Sequence, residues 1–348
     1  MISLQSFQDR IILVTGAAGT IGSKLVEQLL PVAKAVRAFD HAETELFFLH
    51  QRLSGRGQLA PQLGDIRDMD RLRFAMSGVD VVFHTAALKH VGLGEYNPFE
   101  VVQTNLQGLN NTIRAALDAN VDRVVFTSSD KAVNPTNVMG ASKMMGERLI
   151  IAGNEIRGNR RTIFSAVRFG NVIGSRGSVV PIFAAQLLAG APVTLTSESM
   201  TRYVMTVEEA ATLVLEAAQR MRGGEVFVTK MRAIRVIDLA GAMADLLTSG
   251  RFQMTVTGAR AGEKLYEELI ADEELERSVD LERLLVVLPS QEASSHQGAV
   301  WAPYRECKRV DRLWHSSKDT FMSREEIVQY LRDRNVLEPF TAGGRSGA

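Results

Sequence analysis

Side chains that can move protons follow one another at the end of an apolar run. Ser129, Asp130 and Lys131 supply a hydroxyl, a carboxyl and an amine in consecutive positions, and Met139 and Lys143 follow four residues apart. Four residues make about one helical turn, so both of these side chains lie on one face of a helix. Hydroxyls, carboxyls and amines are groups that transfer protons in enzymes. We therefore predict a proton-transfer site and an enzyme.

A glycine-rich segment earlier in the chain is typical of a dinucleotide site. Gly16, Gly19 and Gly22 follow an apolar run with the spacing Gly-x-x-Gly-x-x-Gly. Such glycines permit a tight turn and let backbone amides approach a pyrophosphate at the start of the next helix. Asp40 then stands where a carboxylate receives ribose hydroxyls, which favours NAD over NADP, although Arg37 weakens that preference. An ordinary glycine turn is the alternative interpretation.

Further positions complete the predicted cofactor site. Asp65 can reach the adenine amino group, Ile66 can cover the ring, and Ala86 lies in a small-residue stretch that leaves room for the central phosphates. Lys89 can face the substrate. The candidate cofactor residues are Gly16, Gly19, Thr20, Ile21, Gly22, Asp40, Asp65, Ile66, Ala86 and Lys143.

The elements that must position these residues alternate between short apolar runs and helical patterns. This alternation predicts an α/β fold, a doubly wound parallel (Rossmann) sheet with a second, smaller substrate-binding lobe, and ligands beyond the carboxyl ends of the strands. Residues 98–119, 207–220 and 263–270 read as helices. We predict a dinucleotide-binding domain from 1–174 and 204–232, and a nucleotide-sugar lobe from 175–203 and 233–340.

Composition narrows the classes of function. Forty basic residues balance forty acidic residues among 348, so nothing attracts the chain to nucleic acid. Cys307 is the only cysteine, which excludes an internal disulfide, is inconsistent with a cysteine zinc site and favours the cytoplasm. No metal site is predicted. No apolar run reaches the ~20 residues that a bilayer span needs, so we expect no membrane insertion.

Several dispersed stretches resemble the CapD-type polysaccharide-biosynthesis family of the extended short-chain dehydrogenase/reductase superfamily, whose members are UDP-N-acetylglucosamine 4,6-dehydratases. The resemblance is closest over 129–143. The other matching stretches are 95–98, 168–172, 174–181, 200–203 and 262–268. Membrane-bound relatives carry spans before the glycine-rich strand; about ten residues precede it here, so we expect that portion to be absent.

The resemblance implies a redox-neutral loss of water from a UDP-sugar. Hydride leaves sugar C4, the ketone acidifies C5, water is lost across C5 and C6, and the hydride returns to C6. By resemblance to the family, Lys131 is expected to be the base at C5 and Asp130 the acid at C6. Those roles need a neutral lysine and a protonated aspartate, the reverse of their ordinary states at neutral pH. Adjacent side chains of an extended backbone point to opposite sides, so the two need not pair.

Met139 departs from the superfamily pattern, because most members have a tyrosine there that takes the hydroxyl proton. A thioether cannot do so, which leaves Ser129, Asp130 or a water to act at C4. Tyrosine is usual in the inverting dehydratases, and methionine occurs in relatives that keep the C5 configuration, so we expect retention. Lys143 should bind the nicotinamide ribose.

The second lobe is expected to bind the UDP group. Arg202 and Arg260 are the candidates for the pyrophosphate, since a guanidinium matches phosphate oxygens, and Asn171 and Glu263 resemble family positions near uridine or the diphosphate. The family also implies a homo-oligomer. Two other functions stay open: an NAD-dependent nucleotide-sugar 4-epimerase, and a non-catalytic nucleotide-binding protein, which the missing tyrosine suggests.

Overall fold

The computed structural model describes residues 3–248, 250–259, 262–290 and 300–341. The strands in these ranges are β1 (Ile11–Thr15), β2 (Ala35–Asp40), β3 (Leu59–Leu63), β4 (Val81–His84), β5 (Arg123–Thr127), β6 (Ile163–Arg168), β7 (Asn171–Val172), β8 (Val193–Leu195), β9 (Thr201–Met205), β10 (Val226–Thr229), β11 (Arg232–Arg235), β12 (Met254–Val256), β13 (Ser278–Leu281), β14 (Leu284–Val287) and β15 (Lys308–Arg309).

The helices lie between these strands. The α-helices are α1 (Thr20–Leu29), α2 (Glu43–Leu53), α3 (Met69–Met76), α4 (Val91–Tyr96), α5 (Pro98–Val101), α6 (Gly108–Asp118), α7 (Val138–Ile156), α8 (Val179–Leu188), α9 (Val207–Arg220), α10 (Val236–Leu247) and α11 (Arg324–Asp333). A π-helical segment spans Val102–Gln107, and short 3-10 turns span Gln5–Phe7, Asp130–Ala132, Asp272–Arg277, Ala302–Tyr304 and Glu338–Phe340.

The main sheet confirms the predicted doubly wound fold. Its strand order is β15-β13-β14-β10-β6-β5-β4-β1-β2-β3, and the pairings from β10 to β3 are parallel. Because consecutive strands run outward in opposite directions from β1 and β4, a crevice opens beyond the carboxyl ends of these two strands, where such folds bind ligands.

Both faces of the sheet are buried, as continuous apolar runs in parallel strands predict. Helices α1, α2 and α9 pack on one face and α3, α6 and α7 on the other. In β1, Ile12 and Val14 point to the first face and Leu13 to the second, and all three side chains are fully buried.

A second apolar cluster forms the smaller lobe around α8, α10 and α11. Two small sheets, β11-β9-β7 and β12-β8, complete it. Strands β13, β14 and β15 lie in the sequence range predicted for this lobe, yet they extend the main sheet through antiparallel pairing with β10. The lobe is therefore built from chain that leaves the main sheet twice, between β6 and β10 and between β10 and β13, and from α11 after β15.

Two predicted helices differ in the structure. Residues 98–119 contain the π-helical segment between α5 and α6, where Asn105 bonds to the backbone of Leu88 through both amide atoms, at 2.8 and 3.0 Å. The prediction of a helix over 263–270 is wrong, because that backbone bonds to distant residues: the Leu265 carbonyl accepts from the Thr201 amide, and the Glu267 carbonyl from the Ser316 amide.

Within the described residues, no helix combines the length and apolar character needed to cross a membrane.

Candidate active site

The glycine-rich turn between β1 and α1 is packed too closely for side chains. Gly16 has φ +66°, and a Cβ there would lie 2.6 Å from the Ala86 nitrogen; a Cβ on Gly22 would lie 2.1 Å from the Gly16 carbonyl oxygen. The turn thus stacks on Ala86, beyond β4, and on its own helix. Only glycine allows this approach of backbone to backbone.

The start of α1 is open to an anion. Gly19 is the N-cap and Thr20 and Ile21 begin the helix, with no side chain capping its amides. Uncapped amides at a helix start bind phosphate. Asp40 ends β2 beside them, accepting hydrogen bonds from the Ala18 amide at 2.9 Å and the Ala42 amide at 3.0 Å. Each carboxylate oxygen has a further lone pair for a ribose hydroxyl.

Two charged side chains near Asp40, those of Arg37 and Asp65, have partners elsewhere in the protein. Arg37 donates to the carbonyl oxygens of Ala75 and Ser77, both at 2.7 Å, at the end of α3. Asp65 is paired with Arg67, whose Nε is 2.9 Å away. Burial would raise the pKa of Asp65, but the hydrogen bonds and charge of Arg67 lower it overall.

Ile66 and Ala86 lie just beyond the carboxyl ends of β3 and β4. Ile66 is buried, and its Cδ1 atom would lie 2.6 Å from a Cβ on Gly108, so that glycine accommodates it. Asn105 in the π-helical segment fixes the Leu88 backbone just after Ala86 and also donates to the Ser142 hydroxyl at 2.9 Å. Sequence reasoning missed Asn105, because a π-helical segment has no distinct apolar pattern.

The strap, residues 173–178 of the smaller lobe, lies against the glycine-rich turn. The Arg176 guanidinium donates to the Ala18 carbonyl oxygen at 2.5 Å, and its backbone amide lies 3.4 Å from the Thr20 hydroxyl. Lys89 donates to the Arg176 carbonyl oxygen at 2.8 Å, so its ammonium fastens the strap. A Cβ on Gly177 would lie 2.7 Å from the His90 ring. The stretch 174–181 was matched to the family in the sequence, but Arg176 was not selected as a site residue.

A cavity of about 600 Å³ lies beside this strap. Arg176 and Ala18 line it together with Ser23 of α1 and Phe48 and Arg52 of α2. The cavity adjoins the turn that would hold the pyrophosphate.

The catalytic candidates lie on a 3-10 turn directly after β5. Ser129 caps this turn and its hydroxyl donates to Asp130 Oδ1 at 2.9 Å; Lys131 Nζ donates to the same oxygen at 3.0 Å. The expectation that Asp130 and Lys131 need not pair is wrong, because the backbone here is a tight turn and not extended. Asp130 is fully buried and its Oδ2 has no hydrogen-bond partner among the described residues.

A second carboxylate faces the same amine. Glu267 Oε1 lies 3.2 Å from Lys131 Nζ and 3.7 Å from Arg202 Nε, and Asn171 Oδ1 lies 3.4 Å from the amine. Burial alone would lower the pKa of Lys131, but the charges of Asp130 and Glu267 outweigh it and raise the pKa. Burial raises the pKa of Glu267. Sequence reasoning did not select Glu267.

Arg202, predicted to bind pyrophosphate, is committed to this cluster and to nearby backbone. It donates to the carbonyl oxygens of Thr201 at 2.7 Å and Lys264 at 2.8 Å. Glu263, the other predicted position here, accepts from the Thr196 hydroxyl at 3.2 Å. The predicted Arg260 lies outside the described residues.

Helix α7 carries Met139 and Lys143 toward the same crevice. Its first turn is capped by Asn137, which accepts from the Gly140 amide at 2.8 Å, and by Glu95, which accepts from the Val138 amide at 2.7 Å. Met139 is buried. Lys143 Nζ donates to the Thr127 carbonyl oxygen at 2.8 Å, and burial lowers its pKa to about 8.

The segment 262–268 lies against the loop before α7. The Gly262 carbonyl oxygen accepts from the Thr136 hydroxyl at 3.0 Å and the Asn137 amide nitrogen at 2.9 Å, while Lys264 Nζ donates to the Val133 carbonyl oxygen at 3.0 Å. The smaller lobe is therefore joined to the 3-10 turn and to the loop that follows it.

The arrangement combines an anion-binding turn with a buried cluster of proton-transferring groups. The close glycine packing, the uncapped start of α1, and the positions of Asp40 and Lys143 fit a dinucleotide. Among the described residues there is no group of histidine, cysteine and acidic side chains that could hold a metal ion.

The polysaccharide biosynthesis protein family matches residues 12–289. An uncharacterised membrane protein of Methanocaldococcus jannaschii is 43% identical over 339 residues, covering 95% of this chain and 98% of its own. A UDP-N-acetylglucosamine 4,6-dehydratase (inverting) of Campylobacter jejuni is 37% identical over 286 residues, 82% of this chain and 84% of its own. A UDP-glucose 4-epimerase of Rickettsia canadensis is 38% identical over 280 residues, 79% of this chain and 82% of its own.

Among solved structures, the X-ray structure of Pen from Bacillus thuringiensis matches with a TM-score of 0.88 at 36% identity, covering 95% of this chain and 99% of that chain. The likeness extends over both the main sheet and the smaller lobe.

Proposed function

The chain belongs to the polysaccharide biosynthesis protein family, and from this membership we propose that it is a nucleotide-sugar 4,6-dehydratase that converts UDP-N-acetylglucosamine to a UDP-4-keto-6-deoxy sugar. The observation that carries the proposal is the cluster of Ser129, Asp130 and Lys131 at the carboxyl end of β5, beside the dinucleotide-binding turn. Surface-glycan synthesis would use the product.

A nicotinamide dinucleotide would be held by the glycine-rich turn, the start of α1, Asp40 and Lys143. The chemistry that it supplies when bound is reversible hydride transfer. Asp40 supports NAD over NADP, because a 2′-phosphate would meet a carboxylate. Arg37 does not offset this, since its guanidinium is committed to the end of α3.

The side chains of the 3-10 turn divide the proton transfers. Ser129 receives the C4 hydroxyl proton and passes it to Asp130, to which it is already hydrogen-bonded. Lys131 takes the C5 proton and later returns one there. Asp130 gives its proton to the departing C6 oxygen, so the C4 hydroxyl proton leaves as part of the water and the protein ends as it began. In this way Asp130 acquires the protonated state that an acid needs.

Met139 removes the usual proton acceptor at C4, which supports this route through Ser129. We further propose that the C5 configuration is retained, because tyrosine at this position is usual in inverting members. NMR coupling constants of the product distinguish the two C5 epimers. An inverted C5 would contradict this assignment.

The UDP group would lie near Asn171 and Glu263, where the smaller lobe meets the 3-10 turn. We also propose a homo-oligomeric, cytoplasmic enzyme, as the family resemblance and the single cysteine suggest.

A direct test is incubation of the purified protein with UDP-N-acetylglucosamine, followed by chromatography and mass analysis. We expect a product one water lighter without added NADH. Lys131→Met should lower turnover by at least about 100-fold, since general base catalysis contributes that much. Lys230→Met is the matched control, because Lys230 pairs with Asp280 in another part of the fold.

A nucleotide-sugar 4-epimerase is the second candidate, and it is favoured by the identity to the Rickettsia epimerase. It would give an isomer of unchanged mass and would not need Lys131 as a base at C5. An isomer as the sole product would replace the dehydratase proposal. No change in the sugar nucleotide would favour a non-catalytic role.

A further inference from the structure

The amine of Lys131 is held between two buried carboxylates and not one. Lys131 Nζ lies 3.0 Å from Asp130 Oδ1 and 3.2 Å from Glu267 Oε1. Asp130 and Glu267 are both almost completely buried. Each has one oxygen, Asp130 Oδ2 and Glu267 Oε2, that is buried and has no hydrogen-bond partner among the described residues. Such atoms are costly unless the site uses them.

The backbone of Glu267 is fixed from both sides. Its amide donates to the Ser316 hydroxyl at 2.9 Å, and its carbonyl oxygen accepts from the Ser316 amide at 2.9 Å. The Ser316 hydroxyl also lies 2.9 Å from that of Thr201, next to Arg202. This placement directs the Glu267 side chain at Lys131 without support from a helix.

The charges of the cluster balance. Asp130 and Glu267 are opposed by Lys131 and Arg202, and the charged groups that face the amine are Asp130, Glu267 and Arg202. Loss of the Lys131 proton to water would leave a net negative charge in a buried site, which is unfavourable. A proton that moves within the cluster leaves the total charge unchanged.

The proposed elimination requires the protein to hold two protons, one from the C4 hydroxyl and one from C5. Asp130 as a carboxylate and Lys131 as an ammonium can together accept only one. Glu267 can accept the second, if Lys131 passes its proton to Glu267 Oε1 as it takes the C5 proton. When the proton returns to C5, Glu267 gives its proton back to the amine.

We propose that Glu267 is a positioning residue for Lys131, which orients the amine and takes the proton that Lys131 must release to act as a base. This inference rests on the proposed function, because it assigns Glu267 to the step at C5. Glu267 does so through Lys131 and without contact to the sugar.

The first experiment compares the pH dependence of kcat in Glu267→Gln and the wild type. Glutamine keeps the shape but cannot accept a proton, so kcat at its optimum should fall at least about tenfold. Loss of a negative charge within 4 Å also lowers the pKa values of the coupled group, so both limbs of the profile should move about one pH unit lower. Glu267→Asp should restore the position of the limbs.

Glu268→Gln is the matched control, because the Glu268 carboxylate faces Lys264 at 3.5 Å and Asn134 at 3.2 Å instead of Lys131. Its pH profile should keep the wild-type limbs. A fall in kcat for Glu267→Gln with unmoved limbs would mean a merely structural role and overturn the inference. Equal shifts in both glutamine variants would also overturn it.

A second experiment does not depend on turnover. Lysine labelled with ¹³C at Cε reports the titration of Lys131, whose signal is assigned by its loss in Lys131→Arg. In the ligand-free protein we expect the pKa of Lys131 to be about one unit lower in Glu267→Gln than in the wild type. Identical values would overturn the inference.

If Glu267→Gln does not fold, the same titration in Glu267→Ala decides the question. A Lys131 pKa below the wild-type value supports the role of the second carboxylate, and an equal value contradicts it. A wild type that does not remove water from UDP-N-acetylglucosamine would disprove the proposed function, whereas the NMR result would still decide whether Glu267 controls the amine.

Discussion

Lys143 is a buried positive charge whose placement costs stability. Among the described residues its Nζ has one hydrogen bond, to the Thr127 carbonyl oxygen, and it lies 4.7 Å from the centre of the Phe126 ring. Burial lowers its pKa to about 8. Below that pH the folded protein must keep the ammonium in a poorly solvated site. The gain is a cation ready for the proposed nicotinamide ribose.

We expect Lys143→Met to stabilise the ligand-free protein by about 1–3 kcal/mol at pH 7. The folded pKa is depressed, so the cost is fully present below about pH 8. It disappears as the pH rises toward the ordinary lysine value of about 10.4, and the advantage of the variant should shrink accordingly. Urea denaturation at several pH values measures it.

Lys24→Met is the control for this comparison, because Lys24 pairs with Glu27 and Glu208 near the surface. It should change the free energy of unfolding by no more than about 1 kcal/mol. A destabilised Lys143→Met at every pH would contradict the assigned cost.

At the residue scale, sequence found the local groups and missed those that approach from afar. Ser129, Asp130 and Lys131 are adjacent in the chain, so their place at the end of β5 could be foreseen, whereas the ion pair between Asp130 and Lys131 was not. Glu267 lies more than a hundred positions away, and its contact with Lys131 depends on how the lobe folds onto the turn. No local pattern encodes that distance.

Among the elements, the Arg176 strap links the smaller lobe to the glycine-rich turn. We expect Arg176→Ala to weaken binding of the proposed dinucleotide by about tenfold, because a charged hydrogen bond to the turn and a cation beside the proposed pyrophosphate site are lost. Calorimetric titration with NAD measures this. Arg52→Ala, in the same cavity but paired with Glu27, should bind normally. Equal loss in both variants would rule out a specific role for the strap.

Helix α7 is joined to β6 and the 3-10 turn Asp272–Arg277 by one buried guanidinium. Arg168 Nη2 lies 2.6 Å from Glu147 Oε2, and Nη1 lies 2.8 Å from Glu274 Oε2. Burial would raise the pKa of Glu274, but Arg168 lowers it to about 2. This network fixes the helix that carries Met139 and Lys143.

We expect Arg168→Met to lower the free energy of unfolding by about 3–5 kcal/mol, since two buried carboxylates lose their partner. The depressed Glu274 pKa contributes stability above its ordinary value of about 4.5, and that stability is lost as the pH falls toward 2. The variant should lack this part of the acid dependence. Chemical denaturation at pH 3 to 7 tests it.

The control is Arg161→Met, because Arg161 pairs with Asp122 with half of its side chain exposed. Its effect should stay within about 1 kcal/mol. A similar loss in both variants would contradict the importance of burial.

Element prediction succeeded where the signals are local. Helix α9 was predicted at its exact bounds, Val207–Arg220, and Thr206 and Glu209 form a capping box at its start. The prediction of a helix over 263–270 was wrong because a helix-like pattern cannot reveal that Thr201 and Ser316 will bond to this backbone. The π-helical segment was not predicted for a similar reason, since Asn105 bonds to the backbone of Leu88, which lies outside the segment.

For the whole molecule, an exposed apolar surface lies on α4, α5 and the start of the π-helical segment. Leu93, Tyr96, Phe99 and Val102 are exposed, Tyr96 and Phe99 to more than 80%. Such a contiguous group of large apolar side chains is typical of an interface. If the proposed homo-oligomer forms, we expect a second copy of this chain to cover this surface.

We expect light scattering to give an oligomer for the wild type and a mass near the 38.2 kDa of one chain for the Tyr96→Ser, Phe99→Ser double variant. Phe47→Ser changes an exposed side chain of α2 and should leave the mass of the oligomer unchanged. A wild-type mass of one chain would disprove the interface.

The return of the chain to β13 constrains how a bulky sugar nucleotide enters. The polypeptide that carries Glu263 and Glu267 is tethered at both ends to one rigid sheet, by β10 before it and β13 after it. Because both ends of this polypeptide are fixed to the sheet, we expect Lys131 and Glu267 to stay in contact when the proposed sugar nucleotide binds and leaves.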